Sequence, residues 1–490
     1  MKNLTILFLI SIILFSVFLR GQSINFDEYF VDKTMRVDYC HIADAATDIF
    51  TLDQIYIQGI WAGSRTNLID DLNLGRYYIN IKDTVNGKLL YSRGFDSYCG
   101  EYKTTGDAAK GIKRTFYESA LIPCPKKKVS FSILTRDRNN QLSVAFSAEI
   151  DPEGFGIIKE KLLGGVAVFD LVKNGDPHKK VDIAIVAEGY TKADEEKLLA
   201  DFKRFSEIFF KYEPFKSHKD KFNIYGVWKP SEEQGCDEPP AGIFRNTSVN
   251  ATFNSLGSER YLLTEANKEL RDVAAHTPYD SIMIMVNQAR YGGGGIYNFF
   301  CTFISDNQWS EYVFIHEFGH CFTGLADEYY TSTTAYNDFY PLGIEPVEPN
   351  ITALLDPANL KWKDDCSDGI AIPTPWEKED YDRMDTAYQK VRGELNDRIA
   401  RMKREGAPAD QVEKINAESE KLSKENAAIM DAYLSRSKFV GVVGAFEGAG
   451  YSAKGLYRPM LDCIMFSKGA KPFCKVCESA IIRTLKRYTE

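Results

Sequence analysis

The period of the apolar residues changes once along this chain, and that change restricts it to two architectures in series. Between residues 24 and 165 the apolar positions alternate in short runs: Ile55, Ile57 and Ile60; Tyr77, Ile79 and Ile81; Val129, Phe131 and Ile133; Leu142, Val144 and Phe146. A period of two buries one face of an extended strand, and polar residues 138–141 between the last two runs supply a hairpin turn. Residues 22–165 are therefore expected to form an antiparallel β-sandwich. After Asp176 the texture differs. Residues 181–187 read as a buried strand, and Leu198, Phe202, Phe205 and Phe209 follow at helical spacing. Phe222–Trp228 and Ser281–Val286 are two more buried strands, so residues 166–490 are expected to hold a central sheet with helices packed on it. The fold class is α+β and multidomain.

Residues 377–437 interrupt that rhythm with a highly charged stretch. Val391, Leu395 and Met402 share one helical face; Gly406, Ala407 and Pro408 break the pattern; Val412, Ile415, Leu422 and Ile429 form a second face. This is the pattern of an inserted helical hairpin. A solvated helix pair is the plain reading, and a partner-binding arm the alternative.

At the N-terminus, Lys2 precedes an almost unbroken apolar run over residues 4–19, followed by Arg20, Gly21 and Gln22. This is the layout of a secretory signal peptide over residues 1–21, too short for the roughly 20 apolar residues of a membrane span. Export is expected, to the periplasm, the cell surface or the medium. Without that segment the chain has 58 basic against 69 acidic side chains, a balance that argues against binding nucleic acid. All ten cysteines follow it, and in an exported chain an even number suggests disulfides. Cys474 and Cys477 form a single CxxC. Lacking a second pair, it reads as a disulfide or as buried thiols before it reads as a zinc ribbon.

Residues 310–330 read SEYVFIHEFGHCFTGLADEYY. His316-Glu317-Phe318-Gly319-His320 is an HExxH motif within an apolar helical pattern. Histidines four apart project from the same side of a helix, so both imidazoles reach one Zn²⁺, while Glu317 lies beside it as a general base. His41, His178, His218 and His276 lack this spacing and read as ordinary core or surface residues. A catalytic zinc takes a third protein ligand. Gly324 can end the helix in a left-handed conformation and turn the chain back, after which Asp327 and Glu328 both offer a carboxylate; Asp327 is preferred. Gly292 to Gly295 followed by residues 296–304 suggest a loop and a sheet-edge strand that pairs with an extended substrate, with an ordinary Gly-rich turn as the alternative. No Gly-Lys-Ser/Thr follows, which excludes a nucleotide-binding loop.

HEFGHCFTGLADEY together with EGAGYSAKGLYRPMLDCIM at residues 447–465 resembles the metzincin clan of zinc peptidases, and within it the bacterial IgA-type metallopeptidase family. The resemblance implies a metzincin-like α/β peptidase domain behind an N-terminal β-sandwich. The clan pattern is HExxHxxGxxH. Here the glycine lies eight rather than seven residues after the first histidine and a carboxylate replaces the third. The glycine-to-ligand spacing of three is retained by Asp327, which favours it over Glu328. The resemblance also implies a methionine turn beneath the zinc, at Met465 with Met460 as competitor. The tyrosine that related clans carry two residues later is Ser467 here, leaving Tyr457 or Arg458 as oxyanion candidates.

The expected function is thus an exported zinc-dependent endopeptidase using His316, His320 and Asp327 as metal ligands and Glu317 as base. Its partner is a polypeptide, with immunoglobulin among the candidates; oligomeric state is not legible. The alternatives are a zinc hydrolase of non-peptide amides or esters, and an exported binding protein with a structural or silent zinc site.

Overall fold

The computed structural model describes residues 24–331, 339–341 and 343–490. The signal-peptide reading of residues 1–21 falls outside the described residues. Among them no helix is long and apolar enough to cross a membrane.

Eight strands precede residue 160: β1 (Phe30–Ala43), β2 (Asp48–Gln58), β3 (Tyr77–Asp83), β4 (Leu89–Phe95), β5 (Arg114–Pro125), β6 (Val129–Arg136), β7 (Leu142–Ile150) and β8 (Ile157–Ile158). They form two four-stranded sheets, ordered β5-β1-β2-β8 and β4-β3-β6-β7. All pairings are antiparallel except the short β2·β8 contact. The alternation seen in the sequence does the closing. Val37 and Tyr39 of one sheet, and Ile79, Ile81, Phe131 and Ile133 of the other, bury their side chains in one shared core. Asn140 takes the left-handed conformation (φ 60°) in the turn between β6 and β7.

The next strand, β9 (Ala167–Val172), belongs to a different sheet of six strands. With β10 (Val181–Glu188), β11 (Phe222–Trp228), β12 (Ser281–Val286), β13 (Gly293–Ile296) and β14 (Phe300–Ile304) it gives the order β13-β14-β12-β10-β11-β9. The four central strands run parallel, and both edge strands run antiparallel to their neighbours. Central strands of a parallel sheet are covered on both faces, which is why β10, β11 and β12 are buried at every position. Helices α1 (Glu195–Phe209) and α2 (Ser310–Thr323) join through Phe205 and Phe209, which meet Phe303, Phe314 and Phe318 at ring-centroid distances of 4.7–5.2 Å.

Residues 378–434 form two antiparallel helices, α3 (Lys378–Arg404) and α4 (Ala409–Leu434), and the chain continues through the hairpin of β15 (Val443–Ala449) and β16 (Ser452–Met460) to α5 (Lys475–Thr489). The helix pair is docked rather than free. Lys403 pairs with Glu238, Asn396 donates to Glu259, and Asn307 and Gln308 donate to Glu420. Its buried faces differ in part from the periodic ones: Val412 and Ile415 are buried, whereas Val391 and Ile429 are exposed and Met430 and Leu434 take the interior positions. The hydrophobic period locates a helix but leaves open which flank of it meets a neighbour.

Candidate metal centre and substrate cleft

Helix α2 is apolar on most of its circumference, and Val313, Phe314, Ile315, Phe318, Cys321 and Phe322 are all buried. A helix buried all round is a rigid base for two ligands one turn apart. It stops at Gly324, whose φ of 63° and ψ of 34° suit a residue without Cβ. The Gly324 N–H donates to the His320 carbonyl at 2.9 Å, and the Leu325 N–H to the Gly319 carbonyl at 3.3 Å. The reversal places the Leu325 carbonyl 2.5 Å from His320 Nδ1 and brings Asp327 back over the helix.

The result is a triangle of ligand atoms. His316 Nε2 and His320 Nε2 are 3.1 Å apart, and Asp327 Oδ1 lies 3.0 Å from the first and 3.2 Å from the second. Three ligands bound tetrahedrally at about 2.0–2.1 Å would stand roughly 3.3 Å from one another, so the triangle is that of one face of a slightly contracted tetrahedron. Both imidazoles are fixed from behind, His320 through Leu325 and His316 through the Ile464 carbonyl, 2.9 Å from its Nδ1. With Nδ1–H donating to a carbonyl, each Nε2 turns a lone pair inward. Asp327 Oδ1 is buried and accepts no hydrogen bond, while Oδ2 is held by the Tyr451 hydroxyl. With both imidazoles neutral, three lone pairs converge on one point; that geometry fits a divalent cation, and the N, N, O donor set suits zinc.

Without a cation the Asp327 carboxylate favours a proton on the facing imidazole, which metal binding would have to displace. Burial works against a charged His320, but the Asp327 carboxylate outweighs it and lifts the imidazole to about 9. Burial likewise opposes ionisation of Asp327, yet His320 and His316 hold its carboxyl well below the usual range. Glu317 takes no corner of the triangle. Its carboxylate lies within 4.8 Å of both histidine ligand atoms, and burial raises its pKa.

The wall facing Glu317 is strand β13, at the antiparallel edge of the six-stranded sheet. Its glycines touch α2 directly. A Cβ on Gly295 would stand 2.5 Å from the Glu317 carbonyl oxygen and 2.9 Å from His320 Cβ, and one on Gly293 would stand 3.1 Å from Glu317 Oε1. Glycine is required here by close approach rather than by turn geometry. The remaining walls include Arg260, Tyr329 and Tyr451, and, from the N-terminal domain, Arg76 just before β3 and Glu101 in a helical turn between β4 and β5. Arg260 donates to the Tyr329 hydroxyl at 2.9 Å. Sequence reading missed these five side chains: Arg76, Glu101, Arg260 and Tyr451 come from four distant segments, and nothing in the spacing marks Tyr329, two residues past Asp327, as lining the cleft.

Beneath the triangle lies the turn after β16. A Cβ on Gly319 would be 3.2 Å from Met465 Sδ, so the buried Met465 packs against the helix that carries both histidines. Met460 ends β16 and is only half-buried. Arg458 is fully buried and donates to the carbonyls of Gly448 and Leu461, with its guanidinium 3.8 Å from the Phe466 ring centroid. Such a side chain supports the turn and does not reach the cleft. Tyr457 pairs through its backbone with Thr352 and also lies outside the cleft lining. Glu328 faces away from the histidines: its Oε1 accepts from Asn350 at 3.0 Å and lies 3.3 Å from Cys477 Sγ. All ten cysteines are free, so the disulfides suggested by their even number do not form in this structure.

Two family models match the chain. The model described as IgA Peptidase M64 covers residues 169–485, and that described as Peptidase M64 N-terminus covers residues 25–147. No curated protein matches it.

Proposed function

The chain belongs to the M64 peptidase family, and on that premise we propose that it is an exported zinc endopeptidase with His316, His320 and Asp327 as ligands and Glu317 as general base. Membership makes it a metallopeptidase acting on polypeptides. The observation that carries the finer reading is the triangle of His316 Nε2, His320 Nε2 and Asp327 Oδ1, with edges of 3.0–3.2 Å and an orphaned carboxylate oxygen. When bound there, zinc supplies Lewis-acid polarisation of the scissile carbonyl and acidifies water. Glu317 takes the proton from the attacking water and returns it to the leaving amine. Burial raises its pKa and so strengthens it as a base. The Tyr329 hydroxyl, oriented by Arg260, donates to the developing oxyanion. Strand β13, whose Gly293 is already paired on its outer side with Arg260 and Leu262, would offer its main chain at Gly295 to an extended peptide.

The apolar run at residues 4–19 supports export. Immunoglobulin A, which the family's name carries, is one substrate to test; an exposed segment of another protein fits the same cleft. The test is zinc content and peptide-library cleavage in the wild type and in Glu317→Gln. We expect the zinc at the histidine site to be retained in the variant while kcat falls about 10²–10⁴-fold. Full activity in Glu317→Gln would refute the general-base assignment.

A further inference from the structure

We propose a second, purely structural zinc site formed by Glu328, Cys463, Cys474 and Cys477, behind the catalytic triangle. All four residues are buried, and one ligand atom from each lies within 4.8 Å of every other. Cys463 Sγ and Cys477 Sγ are 3.9 Å apart; Glu328 Oε1 is 3.3 Å from Cys477 Sγ and 4.0 Å from Cys474 Sγ. A tetrahedral zinc with sulfur at about 2.3 Å and oxygen at about 2.1 Å sets sulfurs roughly 3.8 Å apart and sulfur and oxygen roughly 3.6 Å apart. The Cys463–Cys477 separation matches that coordination shell, and the two sulfur–oxygen distances bracket its value, so small shifts would close the cluster on one ion.

Three further observations point to a cation rather than to packed thiols. Glu328 is fully buried and its Oε2 has no hydrogen-bond partner. An isolated carboxylate is costly to bury unless a positive charge meets it. Backbone N–H groups are aimed at the sulfurs: those of Cys474 and Met465 at Cys463 Sγ, at 3.2 and 3.5 Å, and that of Cys477 at Cys474 Sγ, at 3.5 Å. Donors at sulfur stabilise thiolate, the form that ligates. Cys474 and Cys477 are also the N-cap and first turn of α5, where the helix dipole favours negative charge. Four protein ligands leave no open position, so the site is closed and does no chemistry.

Its place in the fold gives it a role. Glu328 adjoins Asp327, and Cys463 immediately precedes Ile464, whose carbonyl holds His316. One ion would tie the third-ligand segment, the turn carrying Met465 and helix α5 at a single point, releasing the thiol protons as it binds.

The test is metal analysis and X-ray absorption on the full mature chain loaded with Zn²⁺, in the wild type and in His316→Ala/His320→Ala. Expected are two zinc ions per chain in the wild type and one in the double variant. The ion that remains should show a sulfur shell at about 2.3 Å. This variant keeps all four proposed ligands, so the result does not depend on a cysteine variant that fails to fold. It also stands apart from peptidase activity. A double variant with no zinc, or a disulfide joining any two of Cys463, Cys474 and Cys477 in peptide maps of the zinc-loaded wild type, would overturn the proposal.

Discussion

Asp327 and Glu328 are consecutive residues whose carboxylates enter separate clusters, Asp327 Oδ1 lying 3.0 Å from His316 Nε2 and Glu328 Oε1 3.3 Å from Cys477 Sγ. Their substitutions should therefore separate. Asp327→Asn is expected to weaken zinc binding at the histidine site by more than about tenfold, since even partners behind a ligand are worth 10–100-fold. Glu328→Gln should leave that site metallated. Chelator competition measures both, and equal losses would contradict the assignment of the third ligand.

In the proposed mechanism Tyr329 is a hydroxyl donor to the developing negative charge. Tyr329→Phe should lower kcat by about 10²–10³-fold with little change in KM or zinc content. Tyr457→Phe, away from the cleft, should leave turnover unchanged. Steady-state kinetics on one cleaved peptide compares them directly.

Gly295 has no room for a methyl group, because the atom in its way is the Glu317 carbonyl oxygen of a buried helix. Gly295→Ala should cost about 1–3 kcal/mol of stability as α2 or β13 shifts. It should also cut activity out of proportion to that loss, because the shift displaces Glu317 and His320. Denaturant midpoints and kcat/KM on the same preparation read the two effects.

Asp182 and Asp280 form a buried pair in which the Asp182 N–H donates to Asp280 Oδ2 at 2.9 Å. Burial raises both carboxyls, and repulsion from Asp280 raises Asp182 further. A raised carboxyl keeps a proton in the native chain that the unfolded chain gives up. Its contribution is complete below the ordinary carboxylate range and is lost as pH rises toward neutrality and beyond. Unfolding midpoints should fall between about pH 5 and pH 8. Asp280→Asn should flatten that slope, and an unchanged slope in the variant would place its origin elsewhere.

What was legible in the sequence follows the range of the interactions. His316, Glu317 and His320 are set by one helix turn, and Asp327 by a glycine cap three residues earlier, so local spacing suffices for all four. The strands 222–228 and 281–286 announced themselves because a parallel strand covered on both faces is apolar almost throughout, with only Asn223 and Ser281 interrupting the two runs. The cysteine cluster was hidden for the opposite reason: Glu328 meets Cys474 and Cys477 across nearly 150 residues, and a lone CxxC carries no sign of a distant carboxylate. Arg458 was left open between an oxyanion and a packing role, because a cation beside a catalytic motif looks chemical until its carbonyl partners are seen. The docking face of α3 and α4 is a tertiary choice, visible only once Glu238, Glu259 and Asn307 take their places.

The glycine wall of β13 has a consequence for how selectivity can arise. If a substrate pairs with this edge, main chain there would grip every extended peptide alike, so it could align a substrate but could not distinguish one sequence from another. In the proposed peptidase, discrimination would come from the opposite banks, where Arg76 and Glu101 of the N-terminal domain stand beside the cleft and the docked helix pair borders Arg260 and Tyr329. The two parts of the chain that lack the metal chemistry are thus the ones free to change preference without disturbing catalysis.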